Sequence, residues 1–204
     1  MNRKLWFGTG AAASVIGAAL WWRTHPSPCP YGQRFWVEAP HPLITRSRLV
    51  EALAPAAGET ILEVGPGTGY YTLSVAERLG NTGALHIFDL QQEMLDHTLR
   101  RAGAAGISNL RARRGDARSL PYADEMFDAA YLVAVLGEVP DQRAALSELR
   151  RVLKPSGRLV VGELFGDPHM VTARSLRRAG AEVGLELERR VGPPFGYFGV
   201  LRRM

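Results

Sequence analysis

The sequence predicts an α/β fold, an open and mainly parallel sheet whose ligand site lies at the carboxyl ends of its strands. Three observations predict it. Short apolar, β-branched runs alternate with helical stretches along most of the 204 residues, the rhythm of βα units. One run, Ile61-Leu62-Glu63-Val64, feeds directly into Gly65-Pro66-Gly67-Thr68-Gly69-Tyr70-Tyr71 and then a helical stretch from about Thr72 to Leu79. A second run, Ala84 to Phe88, ends at Asp89, twenty residues beyond Gly69, where an acid can accept hydrogen bonds from both hydroxyls of a ribose.

Taken in order, the chain opens on an uncharged stretch from Leu5 to Trp22, with Arg3 and Lys4 before it and Arg23 after it. As a helix it would span about 27 Å, close to the hydrocarbon thickness of a bilayer. Trp6 and Trp21-Trp22 fall where an interfacial aromatic belt would lie. Residues 1–24 are therefore expected to form a hydrophobic helix that anchors the chain in a membrane. A cleaved signal peptide fits less well, because Ala-Leu-Trp-Trp-Arg is a poor small-residue cleavage site. A helix packed on the domain, or lying in the interface, is the other alternative. Residues 25–44 are rich in proline and aromatic residues, among them Pro30, Tyr31, Phe35, Trp36 and Pro40. Proline confines this segment to extended and turn conformations. It reads as an ordered arm or lid over the site, or as a connector with no ligand contact. The domain proper is expected over residues 45–204.

Thr45 can cap a helix carrying Leu49, Val50 and Leu53. After the glycine turn and its helix, Asn81-Thr82-Gly83 makes a turn before the second strand, and Gln91, Gln92, Glu93 and Met94 open the next helix. Leu110 to Arg114 makes a weak third strand that leads into Gly115-Asp116-Ala117, and Ala129 to Val133 makes the fourth. Asp141 can cap a helix whose Ala145, Leu146, Leu149, Val152 and Leu153 share a face, and Lys154-Pro155-Ser156-Gly157 is expected to end it. Arg158 to Phe165 follows as the fifth strand. Val171 to about Gly180 reads as a helix, and the remainder as two strands around Pro193-Pro194.

Composition bounds the function. The chain carries a net charge of +5, and arginine supplies nearly all of its positive charge, Lys4 and Lys154 being the two lysines. The arginines are scattered, as a solvated basic surface or an attraction to anionic headgroups would have them. Nucleic acid is not expected as a partner, because no basic motif interleaved with aromatic residues occurs. Cys29 is the lone cysteine, so an internal disulfide and a thiolate metal site are both excluded. No metal is expected.

The glycine spacing selects the ligand. A dinucleotide fingerprint places its third glycine three residues after its second, whereas here the glycines are 65, 67 and 69 and position 70 is Tyr. Glu63-Val64-Gly65-Pro66-Gly67-Thr68-Gly69 resembles motif I of the class I S-adenosylmethionine (SAM) methyltransferases. Asp89-Leu90-Gln91-Gln92, Gly115-Asp116-Ala117, Leu120-Pro121-Tyr122 and Arg151-Val152-Leu153-Lys154-Pro155 follow in the order of that family. The group that includes the ubiquinone and menaquinone biosynthesis methyltransferases is the most similar. The resemblance implies a Rossmann-like, mostly parallel seven-stranded sheet with an antiparallel C-terminal strand and helices on both faces. It also implies SAM as cofactor. Gly65, Gly67 and Gly69 would lie by its methionine part, with Glu63 organising the turn through backbone N–H groups and Tyr70 closing over the ligand. Asp89, with Leu90 beside it, would take the ribose, while Asp116 and the Ala117 N–H would take the adenine.

Methyl transfer rests largely on positioning, and a general base helps when the acceptor is a hydroxyl or an acidic ring carbon. His169, Glu138 and Glu163, all expected at strand carboxyl ends, are the candidate bases, and His41 in the arm is a further one. The expected function is methylation of a small, lipid-soluble acceptor, a quinone precursor or phospholipid, at a membrane. The domain is then expected on the cytoplasmic side, where SAM is available. The rivals are a membrane-tethered SAM-binding protein without turnover and a soluble small-molecule methyltransferase. Oligomeric state is not legible.

Overall fold

The computed structural model describes residues 27–33, 35 and 42–204. The expected hydrophobic helix over 1–24, much of the arm, and His41 lie outside the described residues. No described helix is long and apolar enough to cross a membrane.

Seven strands form one sheet: β1 (Thr60–Val64), β2 (Ala84–Asp89), β3 (Leu110–Arg114), β4 (Phe127–Val133), β5 (Leu153–Leu164), β6 (Leu185–Val191) and β7 (Gly196–Arg203). Their order is β3-β2-β1-β4-β5-β7-β6. The first five run parallel, and β7 lies antiparallel between β5 and β6. The strand order reverses between β1 and β4, the crevice where open α/β sheets bind ligands. Five helices are described: α1 (Arg46–Leu53), α2 (Thr72–Leu79), α3 (Gln92–Ala104), α4 (Gln142–Val152) and α5 (Ala173–Glu182).

The period of two along the strands sends alternate residues to opposite faces. Ile61 joins a buried cluster with Leu49, Leu53, Val75, Leu79 and Leu95, which places α1, α2 and α3 on one face. Leu62 and Val64 join a cluster with Leu146, Leu149 and Leu176, which places α4 and α5 on the other. Three helices start on oxygen caps that satisfy an early backbone N–H. Thr45 accepts from the Arg48 N–H, Asp141 from Ala144 and Thr172 from Ser175. α1 closes on Ala54 in the left-handed region (φ 46°). Arg158 then ties that helix end to the sheet, donating to the Leu53 and Ala54 carbonyls and pairing with Glu59 at 2.7 Å.

One boundary needs correcting. Lys154 to Gly157 does not close α4 as a separate turn but forms the first part of β5. Leu153 pairs with Phe127, and the register then shifts before Arg158 meets Ala129. Pro155 is tolerated because it sits at such an irregularity near a strand start.

Candidate functional site

The glycine turn between β1 and α2 is held in the left-handed region, with φ of 69°, 55° and 81° at Gly65, Gly67 and Gly69. Glycine populates these angles without a Cβ penalty. A side chain at position 65 would also collide with Val135 from the loop after β4. The turn is pinned on both sides. The Gly65 N–H donates to the Phe88 carbonyl at 2.8 Å, and the Gly115 N–H to the Asp89 carbonyl at 2.9 Å. From α3, the Thr98 hydroxyl donates to the Gly67 carbonyl at 3.0 Å and the Arg101 guanidinium to the Thr68 carbonyl at 2.7 Å. Thr98 and Arg101 went unnoticed in the sequence. The available signal was a polar Thr98, fully buried, inside the apolar stripe Met94, Leu95, Ala102.

A cavity of about 740 Å³ opens at the carboxyl ends of β1, β2, β4 and β5, within the range that holds cofactor-sized ligands. Gly65, Gly67, Tyr70, Asp89, Leu90, Asp116 and Ala117 all line it. Asp89 is almost buried, and its Oδ1 accepts the Gln91 N–H at 2.8 Å. Burial pushes its carboxyl pKa up, while backbone N–H groups of Gln91, Gly67 and Leu90 favour the charged form. Asp116 is engaged by Arg118 through both carboxylate oxygens, closest at 2.6 Å. That pair holds the Asp116 carboxyl below its usual range. Tyr70 carries the Arg46 guanidinium stacked 4.2 Å from its ring centre. Tyr71 instead packs edge-on against Phe198 and donates to the Ile44 carbonyl.

Two of the expected cofactor residues are not among those lining the cavity. Gly69 faces Thr98 of α3. Glu63 is buried, and its Oε2 accepts from the Thr72 hydroxyl at 2.6 Å. It therefore organises the turn through the first residue of α2 rather than through backbone N–H groups. Burial pushes its pKa up to about 7, against the Thr72 hydrogen bond.

The second wall comes from the loops after β4 and β5. Ala134 follows β4 at φ 54°, a left-handed non-glycine residue beside the cavity, the kind of local strain that binding sites hold. Glu138 follows in the 3-10 turn Leu136–Glu138 and lines the cavity. Burial pushes its carboxyl up to about 8, with the negative charges of Asp167 and Asp89 adding and the Cys29 backbone opposing. His169 also lines the cavity and is nearly buried, and its backbone N–H donates to Asp167. Glu163 does not line it. It is 1% exposed inside β5, with Oε2 accepting the Val171 N–H and Oε1 unpartnered. Burial pushes its pKa up to about 8.

The described part of the arm reaches this cavity. Ser27, Pro28, Cys29, Pro30 and Gln33 line it. Gln91 holds the arm with both ends of its amide, Oε1 accepting the Tyr31 N–H at 3.0 Å and Nε2 donating to the Cys29 carbonyl at 2.9 Å. The Tyr31 hydroxyl meets His97 Nδ1 at 3.1 Å. Among the described residues no cluster of potential ligands for a metal is found.

The sheet order, the glycine turn and the two acids at the ends of β2 and β3 together make a Rossmann-like α/β fold with a ligand cavity at its switch point. The residues present fit SAM: Gly65 and Gly67 present backbone without side chains to the cavity, and the Asp89 and Asp116 carboxylates line it, as a nucleoside with hydroxyl and amine donors would need.

Comparison with known proteins agrees. Residues 61–157 match the family model described as a methyltransferase domain. The demethylmenaquinone methyltransferase of Staphylococcus aureus strain MRSA252 is 33% identical over 117 residues, covering 57% of this chain and 48% of that protein. The chain thus spans about half the length of the curated relatives it matches. Among solved structures, a SAM-dependent methyltransferase from Aquifex aeolicus superposes with a TM-score of 0.77 at 20% identity, covering 85% of this chain and 98% of that one. The cyclase SpnF superposes at 0.68 and 23% identity, covering 78% and 79%. CalH in complex with S-adenosylhomocysteine superposes at 0.63 and 23%, covering 72% and 52%. These likenesses are of fold. That a cyclase is among them shows that the fold alone does not set the reaction.

Proposed function

We propose that the chain is a SAM-dependent methyltransferase that methylates a small, lipid-soluble acceptor, a quinone precursor or a phospholipid, at a membrane. The domain would lie on the cytoplasmic side. The observation that carries this reading is the continuity of one cavity from the Gly65–Gly67 turn and Asp89 to the apolar wall formed by Ile44, Val139, Leu164 and Phe165. One half suits the cofactor, and the other suits an apolar acceptor. The name of the Staphylococcus relatives, demethylmenaquinone methyltransferase, supports an acceptor of the quinone kind.

SAM supplies an electrophilic methyl group on a sulfonium. The chain's own contribution is to hold the acceptor against that methyl in a dry, apolar space. Glu138 would take the proton that the acceptor loses, since it lines the cavity and burial pushes its carboxyl up to about 8. A base poised near working pH transfers protons most effectively. Residues 25–44 would serve as the lid, with the Gln91 amide as its clasp.

The test is incubation of the full-length chain with methyl-labelled SAM and a bacterial lipid extract, followed by organic extraction. Label is expected in an organic-soluble product. Label confined to water-soluble products overturns the lipid-soluble acceptor. SAM binding with no labelled product in any fraction leaves a SAM-binding protein without turnover.

A further inference from the structure

Two aromatic residues at the cavity mouth are left largely exposed. Phe165, in the loop after β5, is 74% exposed, and Phe195, in the loop between β6 and β7, is 52% exposed. The Phe165 N–H donates to the Phe195 carbonyl at 2.7 Å, so the two loops are tied side by side with both rings facing solvent. The second loop is stiffened by Pro193-Pro194 and turns at Gly192 with φ of 99°. Phe165 is also part of the cavity wall, next to Leu164 and Gly166. An apolar pair of this kind at the rim of an apolar cavity marks an interaction surface.

Charge and chain path say what would cover it. Arg46 stands exposed beside the same mouth, stacked on Tyr70, which lines the cavity. Arg190 is exposed near the end of β6, just before the Phe195 loop. Leu43 packs against Gly196 and so joins the start of α1 to the base of that loop. Ser27, where the described chain begins, lines the cavity as well, and the sequence before it is uncharged from Leu5 to Trp22.

We propose that the cavity mouth is a bilayer-contacting lip. Phe165 and Phe195 enter the acyl region of a membrane, Arg46 and Arg190 meet anionic headgroups, and the acceptor passes from the hydrocarbon into the cavity without crossing water. This deepens the proposed function and rests on its reading of the acceptor as lipid-soluble. The physical basis is that aromatic rings partition into the interface while arginines keep their charge at headgroup level.

The test uses the full-length chain carrying Cys29→Ser, with a single new cysteine labelled by an environment-sensitive fluorophore. Phe165→Cys and Phe195→Cys report on the lip, and Ser156→Cys, exposed on the first part of β5, reports on the opposite end of the sheet. Vesicles of phosphatidylcholine with phosphatidylglycerol are expected to shift the emission of the first two to the blue and expose them to quenching by brominated acyl chains, leaving the third unchanged. In phosphatidylcholine alone the shift is expected to shrink; an equal shift overturns the headgroup role of the arginines. If the lip labels stay aqueous while the chain sediments with vesicles, the lip is overturned. It is equally overturned if they are already blue-shifted without lipid and do not change, because the chain itself or a second copy then covers the rings. The labelled-SAM assay on the unsubstituted chain reads the other proposal separately. Methyl transfer without insertion removes the lip alone, and insertion without methyl transfer removes the methyltransferase reading alone.

Discussion

On the β1–β2–β3 side, the cleft is held by main chain, on which the Asp89 and Asp116 carboxylates are mounted. Gly65 and Gly115 donate to the carbonyls of Phe88 and Asp89, and α3 holds the turn from beneath through Thr98 and Arg101. On the β4–β5 side it is shaped by side chains: the half-buried Glu138, the His169 that follows Asp167, and the exposed Phe165. The first wall admits little variation because backbone geometry is fixed by the turn and the strand ends. The second can be repacked without disturbing the sheet. A fold that keeps one ligand and changes the other would be built this way, and on the proposed function binding the cofactor is separable from choosing the acceptor.

Five substitutions, one of them added to another, test that separation. The largest effect is expected from Glu138→Gln, on the acceptor wall. Turnover should fall by about a hundredfold or more, the usual worth of a positioned base, while SAM affinity stays within about twofold, since the change keeps the shape and removes only the charge. In the unsubstituted chain turnover should rise with pH through about 8 as Glu138 ionises, and the variant should lack that limb. Unchanged turnover would move the base elsewhere. Asp89→Ala, on the cofactor wall, should weaken SAM binding about tenfold to a hundredfold by calorimetry, because hydrogen bonds to a charged group are worth about 1.5–3 kcal/mol. Retained affinity would break the comparison at its strongest point.

Gly65→Ala should lower thermal stability by about 1–3 kcal/mol, the cost of a left-handed non-glycine residue, and weaken SAM binding several-fold. Adding Val135→Ala should recover part of the loss, because it clears the collision but not the φ of 69°. No recovery would mean that the backbone angle alone matters. The smallest effect is expected from Glu163→Gln and is one of pH. With its folded pKa raised to about 8 from the ordinary 4.5, the folded chain holds a proton that the unfolded chain has released. That contribution is complete below 4.5 and is lost as pH rises through about 8. The melting temperature of the unsubstituted chain should therefore fall between about pH 4.5 and 8, and that of the variant should fall less. Parallel profiles would show that Glu163 ionises in the folded chain near its ordinary pKa of 4.5.

The same division explains what was legible beforehand. The glycine turn, the ends of β2 and β3, and the α2 and β3 boundaries could be read because left-handed turns and strand-end acids demand particular residue types at fixed spacing. The partner of Glu63, the Thr72 hydroxyl, is not legible in the sequence, because it lies nine residues on in a helix and no spacing rule links the two. Glu163 looked like a strand-end acid, but its side chain accepts from Val171, inside the fold rather than in the cavity. Phe165 and Phe195 gave no signal at all. Thirty residues separate them in sequence, and only the β5–β7 pairing brings their loops together.

The Gln91 clasp has a consequence of its own. It accepts from one arm residue and donates to another with a neutral amide, so neither ionic strength nor proton concentration has a charge to act on. The ion pair of Arg118 with Asp116 on the facing rim is sensitive to salt. Raising the salt would therefore loosen one rim of the cleft and leave the other fastened.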